Sequence, residues 1–282
     1  MNEQPVLISR GDDYLVADIH VGGPHGIILL PGWGGTRFGP QRILWQTAAA
    51  LSQHGYTTAR LDFRGRGDSS GDPDAATLDG MIDDALAVAD WLQEKHGVQR
   101  LSLIGLCSGG NVALGTASLC DRVDHVVCWS LLPFMEHKAQ ATRQGTPRAM
   151  LFQQMLRKVF RLESWRKLLR GEANVKGAVN VLVKDKEGDE GEKQRKTSKR
   201  DILADLEGYR GQLHLLYGTR DPEAAGSRAF FEQWCRKHQV PVDLQTISGA
   251  PHNFYTAKWT AAVIEQTVAW LEAPAAVKGA GK

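Results

Sequence analysis

The sequence is poor in cysteine and has no long apolar run, and each absence excludes a class of protein. The four cysteines among 282 residues form no C-x-x-C pair and have no zinc-ligand spacing to histidine, so we expect reduced thiols, no metal and no disulfide framework. No apolar run reaches the ~18 residues of a spanning helix, and the first residues, MNEQPVLISRGDD, lack a signal-peptide pattern. These absences predict a cytoplasmic protein without a transmembrane segment, and nothing in the sequence requires a cofactor.

Charge is distributed unevenly along the chain, although its net value is only +2. Residues 138–200 contain 17 Lys and Arg against 7 Asp and Glu, which makes this block +10 and leaves −8 for the rest. A basic block can attract an anionic ligand, nucleic acid or acidic lipid, but such a run is more often a solvated face. We therefore expect no nucleic-acid partner, and the oligomeric state stays open.

Apolar segments typical of strands alternate with helical segments along most of the chain. Seven segments have strand character, the first at YLVADIHV and the last at VDLQTI. Between them, the segment LDGMIDDALAVADWLQEKHG places Met81, Ala85, Val88 and Leu92 on one face of a helix. This alternation predicts an α/β fold with a mostly parallel sheet, helices on both faces, and ligand chemistry at the carboxyl ends of the strands.

Residues 135–200 interrupt this alternation and nearly coincide with the basic block. Six apolar residues there fall on the faces of predicted helices: Leu151, Met155, Phe160, Trp165, Leu168 and Leu169. We expect a helical lid insertion whose apolar faces cover a pocket, dock the lid onto the core, or do both. The predicted organisation is a core in two parts, residues 1–134 and 201–272, with the lid between them and a flexible tail at residues 273–282.

A cysteine stands where many hydrolases have a catalytic serine. The run from Gly105 to Gly109, GLCSG, has the spacing of the G-x-S-x-G nucleophile elbow with Cys107 at its centre. The two glycines supply the small neighbours that a tight strand-to-helix turn needs. A thiol at a helix N-terminus is also favoured as thiolate. Cys107 is thus predicted to be a nucleophile, the alternative being a buried cysteine that packs as a small apolar residue.

Two residues follow later strands in the order that a catalytic triad on such a fold requires. Asp221 comes directly after the apolar segment LLYG, and His252 follows the last predicted strand. Either residue alone is weak evidence for a catalytic site, because an Asp in a loop often caps a turn and His252 is one of nine histidines. Together with Cys107 they predict a triad in which His252 serves as base and then as acid, oriented by Asp221.

The loop LLPGWGGT is the predicted source of part of an oxyanion hole. One donor is expected from the N–H of Ser108 and the other from the N–H of Trp33. Gly32 and Gly34 are expected to let the backbone turn toward the site, or merely to serve a tight turn. The neighbouring loop FRGRGDSSG holds three residues that we expect to maintain the shape of the site: Arg64, Asp68 and Ser69.

The motifs GLCSGG, DFRGRGDSSG, GTRDP and APHNF together resemble the α/β-hydrolase superfamily over nearly the whole chain. This resemblance implies the α/β-hydrolase fold, with a mostly parallel eight-stranded sheet and a helical lid. More narrowly, DFRGRGDSSGD, GLCSGGNVAL, SWRKLLRG and LEGYRGQLHLLYGTRD resemble the exosortase A system-associated hydrolases, which are found with exopolysaccharide gene clusters. In those relatives, as in dienelactone hydrolases and polyhydroxyalkanoate synthases, a cysteine is also seen at the elbow. Ser108 departs from that group, in which an acidic residue is usual.

A cysteine nucleophile suits acyl transfer from thioesters or activated esters, because its acyl-enzyme can pass the acyl group to water or to another acceptor. We therefore expect an esterase, a thioesterase or an acyltransferase that forms an acyl-enzyme on Cys107. The substrate is expected to be a small acyl ester or thioester, whose anionic carrier, such as coenzyme A or a saccharide, could meet the basic lid. Three alternatives stay open: a serine esterase that uses Ser108, a non-catalytic binding protein, and an inert Cys107 beside a hydrophobic ligand.

Overall fold

The computed structural model of the chain describes residues 3–134, 137 and 195–273. The predicted lid at residues 135–200 and the predicted tail at residues 273–282 therefore lie almost wholly outside the described residues. Within the described part of the chain, none of the helices combines the length and the apolar character that spanning a membrane requires.

Eight strands form one sheet in the order β1-β2-β4-β3-β5-β6-β7-β8. Their bounds are β1 Glu3–Arg10, β2 Asp13–His20, β3 His25–Leu30, β4 Thr57–Leu61, β5 Arg100–Leu106, β6 Val123–Trp129, β7 Gln212–Gly218 and β8 Val242–Ile247. The pairs β1·β2 and β2·β4 are antiparallel, and every other neighbouring pair is parallel. The predicted fold class, a mostly parallel eight-stranded sheet, is confirmed.

Of the eight strands, β1 is the one that the sequence pattern did not identify. Only Ile8 of β1 is buried, and the strand pairs with β2 alone, at the edge of the sheet. An edge strand with one buried side chain gives little apolar periodicity, which explains why its sequence was not recognised as a strand. The other seven strands coincide with the predicted segments to within a few residues.

Six helices accompany the sheet in the described residues. They are α1 Ile43–Gln53, α2 Leu78–His96, α3 Ser108–Ala117, α4 Ile202–Asp205, α5 Ala224–His238 and α6 Ala257–Glu272. The longest, α2, begins where the Thr77 side chain accepts a hydrogen bond from the Gly80 N–H and ends at Gly97, which has a left-handed φ of 63°. Pro40–Arg42 form a separate short 3₁₀ turn directly before α1.

Two apolar cores lie on opposite faces of the sheet. One contains the buried side chains of α2, α3, α4 and α5, and the other contains those of α1 and α6. The prediction of helices on both faces is thereby confirmed. Because β3, β5, β6, β7 and β8 are parallel to one another, their carboxyl ends meet at one edge of the sheet.

Candidate active site

The turn from β5 into α3 holds Cys107 in a strained conformation. Its φ is 55° and its ψ is −122°, an unfavourable region for a residue with a side chain. The turn is possible because its two glycines approach other backbone closely. A Cβ on Gly105 would collide with the carbonyl group of Gly109, and one on Gly109 would collide with the backbone of Leu30 and Pro31. Cys107 is half-buried, whereas the other three cysteines are buried, and all four are free thiols.

The loops after β7 and β8 bring Asp221 and His252 to the same place. Nδ1 of His252 lies 2.7 Å from Oδ2 of Asp221, and the His252 ring interacts with the Cys107 side chain, which lines the same cavity. The Asp221 side chain is buried, while the His252 side chain is 26% exposed. The three residues predicted as a triad are thus in contact, in the predicted order.

The electrostatics of this group favour a charged histidine and a charged aspartate. Burial acts to lower the pKa of His252, but its interactions with Asp221 and Cys107 outweigh burial and raise the pKa to about 10. Burial likewise acts to raise the pKa of Asp221, but hydrogen bonds from His252 and from the Glu223 N–H, together with the charge of His252, hold it below its usual value. The His252 ring is therefore protonated at neutral pH and faces a carboxylate.

Ser130 supports this group, and sequence reasoning missed it. Its hydroxyl donates a 2.8 Å hydrogen bond to the backbone carbonyl of His252. Ser130 has a φ of 50° and is fully buried directly after β6. It belongs to no motif, so the only signal available was a polar residue at the carboxyl end of a predicted strand.

The loop after β3 lies against the elbow. The backbone N–H of Trp33 donates a 2.7 Å hydrogen bond to the side-chain oxygen of Ser108. Gly32 lies beside the elbow, since a Cβ built there would be 3.7 Å from the Cβ of Cys107, and Gly34 faces open space. The two residues predicted to supply oxyanion donors are thus in contact with each other, at the first residue of α3.

The loop after β4 is held in place by hydrogen bonds and ion pairs. Arg64 bonds Asp84 at 2.7 Å, the Ser69 hydroxyl donates to the Asp62 carbonyl at 2.6 Å, and Asp68 pairs with Arg37 at 2.8 Å. Arg37, which sequence reasoning did not single out, also pairs with Asp18 and with Asp62. The three residues expected to maintain the shape of the site all make such contacts.

Arg66, on the same loop, contacts the backbone of Trp33 at its carbonyl oxygen. Its Nε donates a 3.2 Å hydrogen bond to the carbonyl of Trp33. No motif pointed to Arg66, and the sequence offered no signal that it would contact a residue 33 positions away.

A cavity of about 700 Å³ opens onto Cys107. Its apolar wall comes from several segments and includes Trp33, Leu78, Leu106, Leu132 and Pro133. The polar groups that face it include Asn111, Lys196 and His252, and the Lys196 Nζ lies 5.3 Å from the centre of the Trp33 ring. Among the described residues, no cluster of His, Cys, Asp and Glu is arranged to hold a metal ion. A mostly apolar cavity beside a polar reactive group is the usual form of a small-molecule site.

Comparison with known proteins identifies a family whose model covers most of the chain. The model of the alpha/beta hydrolase family matches residues 27–266, which include every residue of the candidate site.

Individual relatives match only part of the chain. The lysophosphatidylserine lipase ABHD12 of Gallus gallus is 37% identical over 116 residues, which make up 40% of this chain and 29% of that protein. Protein ABHD12B of Homo sapiens is 30% identical over 96 residues, 34% of this chain and 25% of that protein. The matched part of the chain thus spans less than a third of the length of these relatives.

Solved structures resemble the whole chain. An esterase from Pyrococcus furiosus has a TM-score of 0.67 at 18% identity, with 96% of this chain and 91% of that chain covered. A dienelactone hydrolase from Anabaena variabilis has a TM-score of 0.63 at 15% identity, with 98% and 99% covered. At these identities the likeness concerns the fold.

Proposed function

Since the chain belongs to the alpha/beta hydrolase family, we propose that it cleaves acyl esters or thioesters with Cys107 as the nucleophile, His252 as the proton carrier and Asp221 as the orienting acid. One observation supports this proposal above the others: the His252 ring bonds the Asp221 carboxylate and interacts with Cys107 at the wall of the same cavity. A nucleophile, a base and an acid linked in this order are the arrangement used for covalent acyl transfer.

The resting site in this proposal is a thiolate that faces an imidazolium. The pKa of His252, raised to about 10 against burial by its interactions with Asp221 and Cys107, keeps its ring protonated at neutral pH. The N-terminus of α3 adds partial positive charge beside the sulfur. Because a thiolate attacks without a base, His252 acts first as an acid.

The proposed reaction has two halves. In the first, Sγ of Cys107 bonds to the carbonyl carbon, and the π electron pair moves to the oxygen as an oxyanion. This intermediate collapses when the bond to the leaving group breaks and the leaving atom takes the proton of His252. In the second half, water gives a proton to His252 and attacks the thioester carbon, which releases the acid and the thiolate. An alcohol or amine in place of water makes the second half an acyl transfer.

Ser108 is the alternative nucleophile, and its contacts favour a different role. Its side-chain oxygen accepts a hydrogen bond from Trp33, whereas the side-chain partners of His252 are Asp221 and Cys107. A serine nucleophile needs a neutral base within reach to take its proton. Among the described residues, no hydrogen bond links Ser108 to His252, which favours Cys107 as the nucleophile.

The lining of the cavity favours an apolar acyl group as the part of the substrate that lies next to Cys107. Its leucines and Pro133 would contact such a chain, and Lys196 above Trp33 would meet a negative charge at the cavity wall. The relative ABHD12 is named a lysophosphatidylserine lipase, and an acyl ester of that general kind fits these features. The predicted lid and the kinship with exosortase A system-associated hydrolases stay predictions.

The test is the intact mass of the protein after brief incubation with p-nitrophenyl esters and acyl-coenzyme A thioesters of increasing chain length. We expect the wild-type protein to gain the mass of one acyl group, and Cys107→Ala to gain none. Cys120→Ala is the matched control, because it removes a thiol that is buried outside the site.

Each alternative gives a different pattern in this experiment. Loading of Cys107→Ala but not of Ser108→Ala would identify a serine esterase. Absence of loading on every variant, with unchanged melting temperatures, would favour a binding protein. The acyl lengths that load on the wild type show how long a chain the cavity accepts. The rate at which the adduct is lost in water, compared with the rate in the presence of added alcohols, separates hydrolysis from transfer.

A further inference from the structure

The side-chain oxygen of Ser108 stands between the Trp33 N–H and the cavity. It accepts a hydrogen bond from that N–H at 2.7 Å, and Ser108 lines the cavity beside Cys107. A hydroxyl has one proton to donate as well as two lone pairs. Within residues 3–134, 137 and 195–273, no acceptor receives that proton, so it is available to a group in the cavity.

The backbone of residue Trp33 is held at both its N–H and its carbonyl oxygen. Its N–H is bound to Ser108, and its carbonyl accepts a hydrogen bond from Arg66 at 3.2 Å. A direct bond from Trp33 to an oxyanion would require the existing bond to Ser108 to break. A bond from Ser108 to the oxyanion requires no such loss, and the Trp33 N–H would polarise the hydroxyl and strengthen it as a donor.

We propose that the Ser108 hydroxyl donates a hydrogen bond to the oxyanion, which makes Ser108 a catalytic residue and Trp33 a positioning residue that acts through it. The backbone N–H of Ser108 is the second donor, since the first N–H groups of a helix have no partner within the helix. The Ser108 proton stays on its oxygen throughout. This inference rests on the proposed acyl-enzyme at Cys107, and it replaces the direct oxyanion contact that the sequence predicted for the Trp33 N–H.

The experiment compares two reactions of the same thiolate. Acylation by a p-nitrophenyl ester forms an oxyanion, whereas alkylation by iodoacetamide displaces iodide at a saturated carbon and forms none. We expect Ser108→Ala to slow acylation by about 10- to 100-fold, the range for one hydrogen bond to a charged acceptor, with KM little changed. Alkylation of Cys107 should proceed at the wild-type rate.

Two further variants separate the hydroxyl from other effects of the substitution. Ser108→Thr keeps a hydroxyl and should restore most of the acylation rate. Ser118→Ala removes a serine hydroxyl at the far end of α3, where it bonds only the Gly115 carbonyl among the described residues, and should leave both reactions unchanged.

Several outcomes would overturn the inference. Acylation of Ser108→Ala at or above the wild-type rate would mean that the hydroxyl only occupies the oxyanion position at rest. An equal fall in acylation and alkylation would mean that Ser108 shapes the elbow or the thiolate instead. Failure of the proposed function is distinguishable from both, because the wild-type protein would then form no acyl adduct on Cys107.

Discussion

At the residue scale, the proton on His252 controls the proposed chemistry. The Asp221 carboxylate, 2.7 Å from Nδ1, is a main reason why the pKa of His252 is raised to about 10 in spite of burial. A histidine with a raised pKa is charged below that pKa and neutral above it. Acid catalysis by His252 is therefore expected throughout the neutral range and is lost as the pH rises through about 10.

Asp221→Asn tests this dependence. The variant keeps a side chain of the same shape but removes the charge, so we expect the pKa of His252 to fall and the proton to be lost at lower pH. Activity at neutral pH should fall by about 100-fold or more, by analogy with the loss of the orienting acid in serine enzymes. The measurement is kcat/KM as a function of pH. The control is Asp205→Asn, an exposed carboxylate outside the site, and an unshifted alkaline limb in Asp221→Asn would contradict the assigned role.

At the scale of single elements, the turn between β5 and α3 depends on close backbone packing. The left-handed φ of Cys107 stores strain at the reacting residue, and the surrounding structure maintains it. Gly105 and Gly109 permit this because each lies against backbone where no Cβ fits. The elbow is thus a property of the whole turn rather than of Cys107 alone.

Gly105→Ala is expected to destabilise the protein. Its Cβ would collide with the Gly109 carbonyl, so the strand or the helix must move, at a cost of about 1 to 3 kcal/mol or more in the free energy of unfolding. Gly34→Ala is the matched control, because a Cβ there meets no atom within 4 Å. Urea denaturation of both variants measures the difference. Equal stability of Gly105→Ala and the wild type would show that the elbow tolerates a side chain at this position.

At the scale of the whole molecule, a pair of buried histidines lies far from the site, at the amino ends of β6 and β7. Nδ1 of His125 is 3.1 Å from Nε2 of His214, and His214 stacks on Trp270 of α6. Burial lowers the pKa of both, that of His214 to about 4, and the nearby Asp124 and Asp243 offset the shifts only in part. Protonation of either ring would place a charge beneath the helix that covers this end of the sheet.

The pair predicts a loss of stability in acid. Because the folded-state pKa values lie below the unfolded value of about 6.5, the unfolded chain binds more protons, and the free energy of unfolding falls as the pH drops from about 6.5 toward 4. We expect His214→Phe, which keeps an aromatic ring on Trp270, to weaken this dependence. His96→Gln, at the end of α2, is the control. Denaturant midpoints between pH 7 and pH 4 provide the measurement, and an unaltered slope in His214→Phe would refute the assignment.

The sequence by itself determined the fold class and the places of Cys107, Asp221 and His252. Each signal is local, since an apolar strand followed by a turn can be recognised within about ten residues. Parallel strands end at a common edge, so residues that follow separate strands are expected to meet there without knowledge of the strand order. The catalytic roles of these residues stay predictions.

Only the tertiary structure decided which side chains touch. The bond from Trp33 to Ser108 joins residues 75 positions apart, and the bond from Ser130 to His252 joins residues 122 positions apart. The first exists because β3 lies next to β5 in the sheet, an order that no local pattern specifies. Hydrogen bonds between loops require positions fixed to a few tenths of an ångström, and such positions follow from the packing of the whole sheet and its helices rather than from any short stretch of sequence.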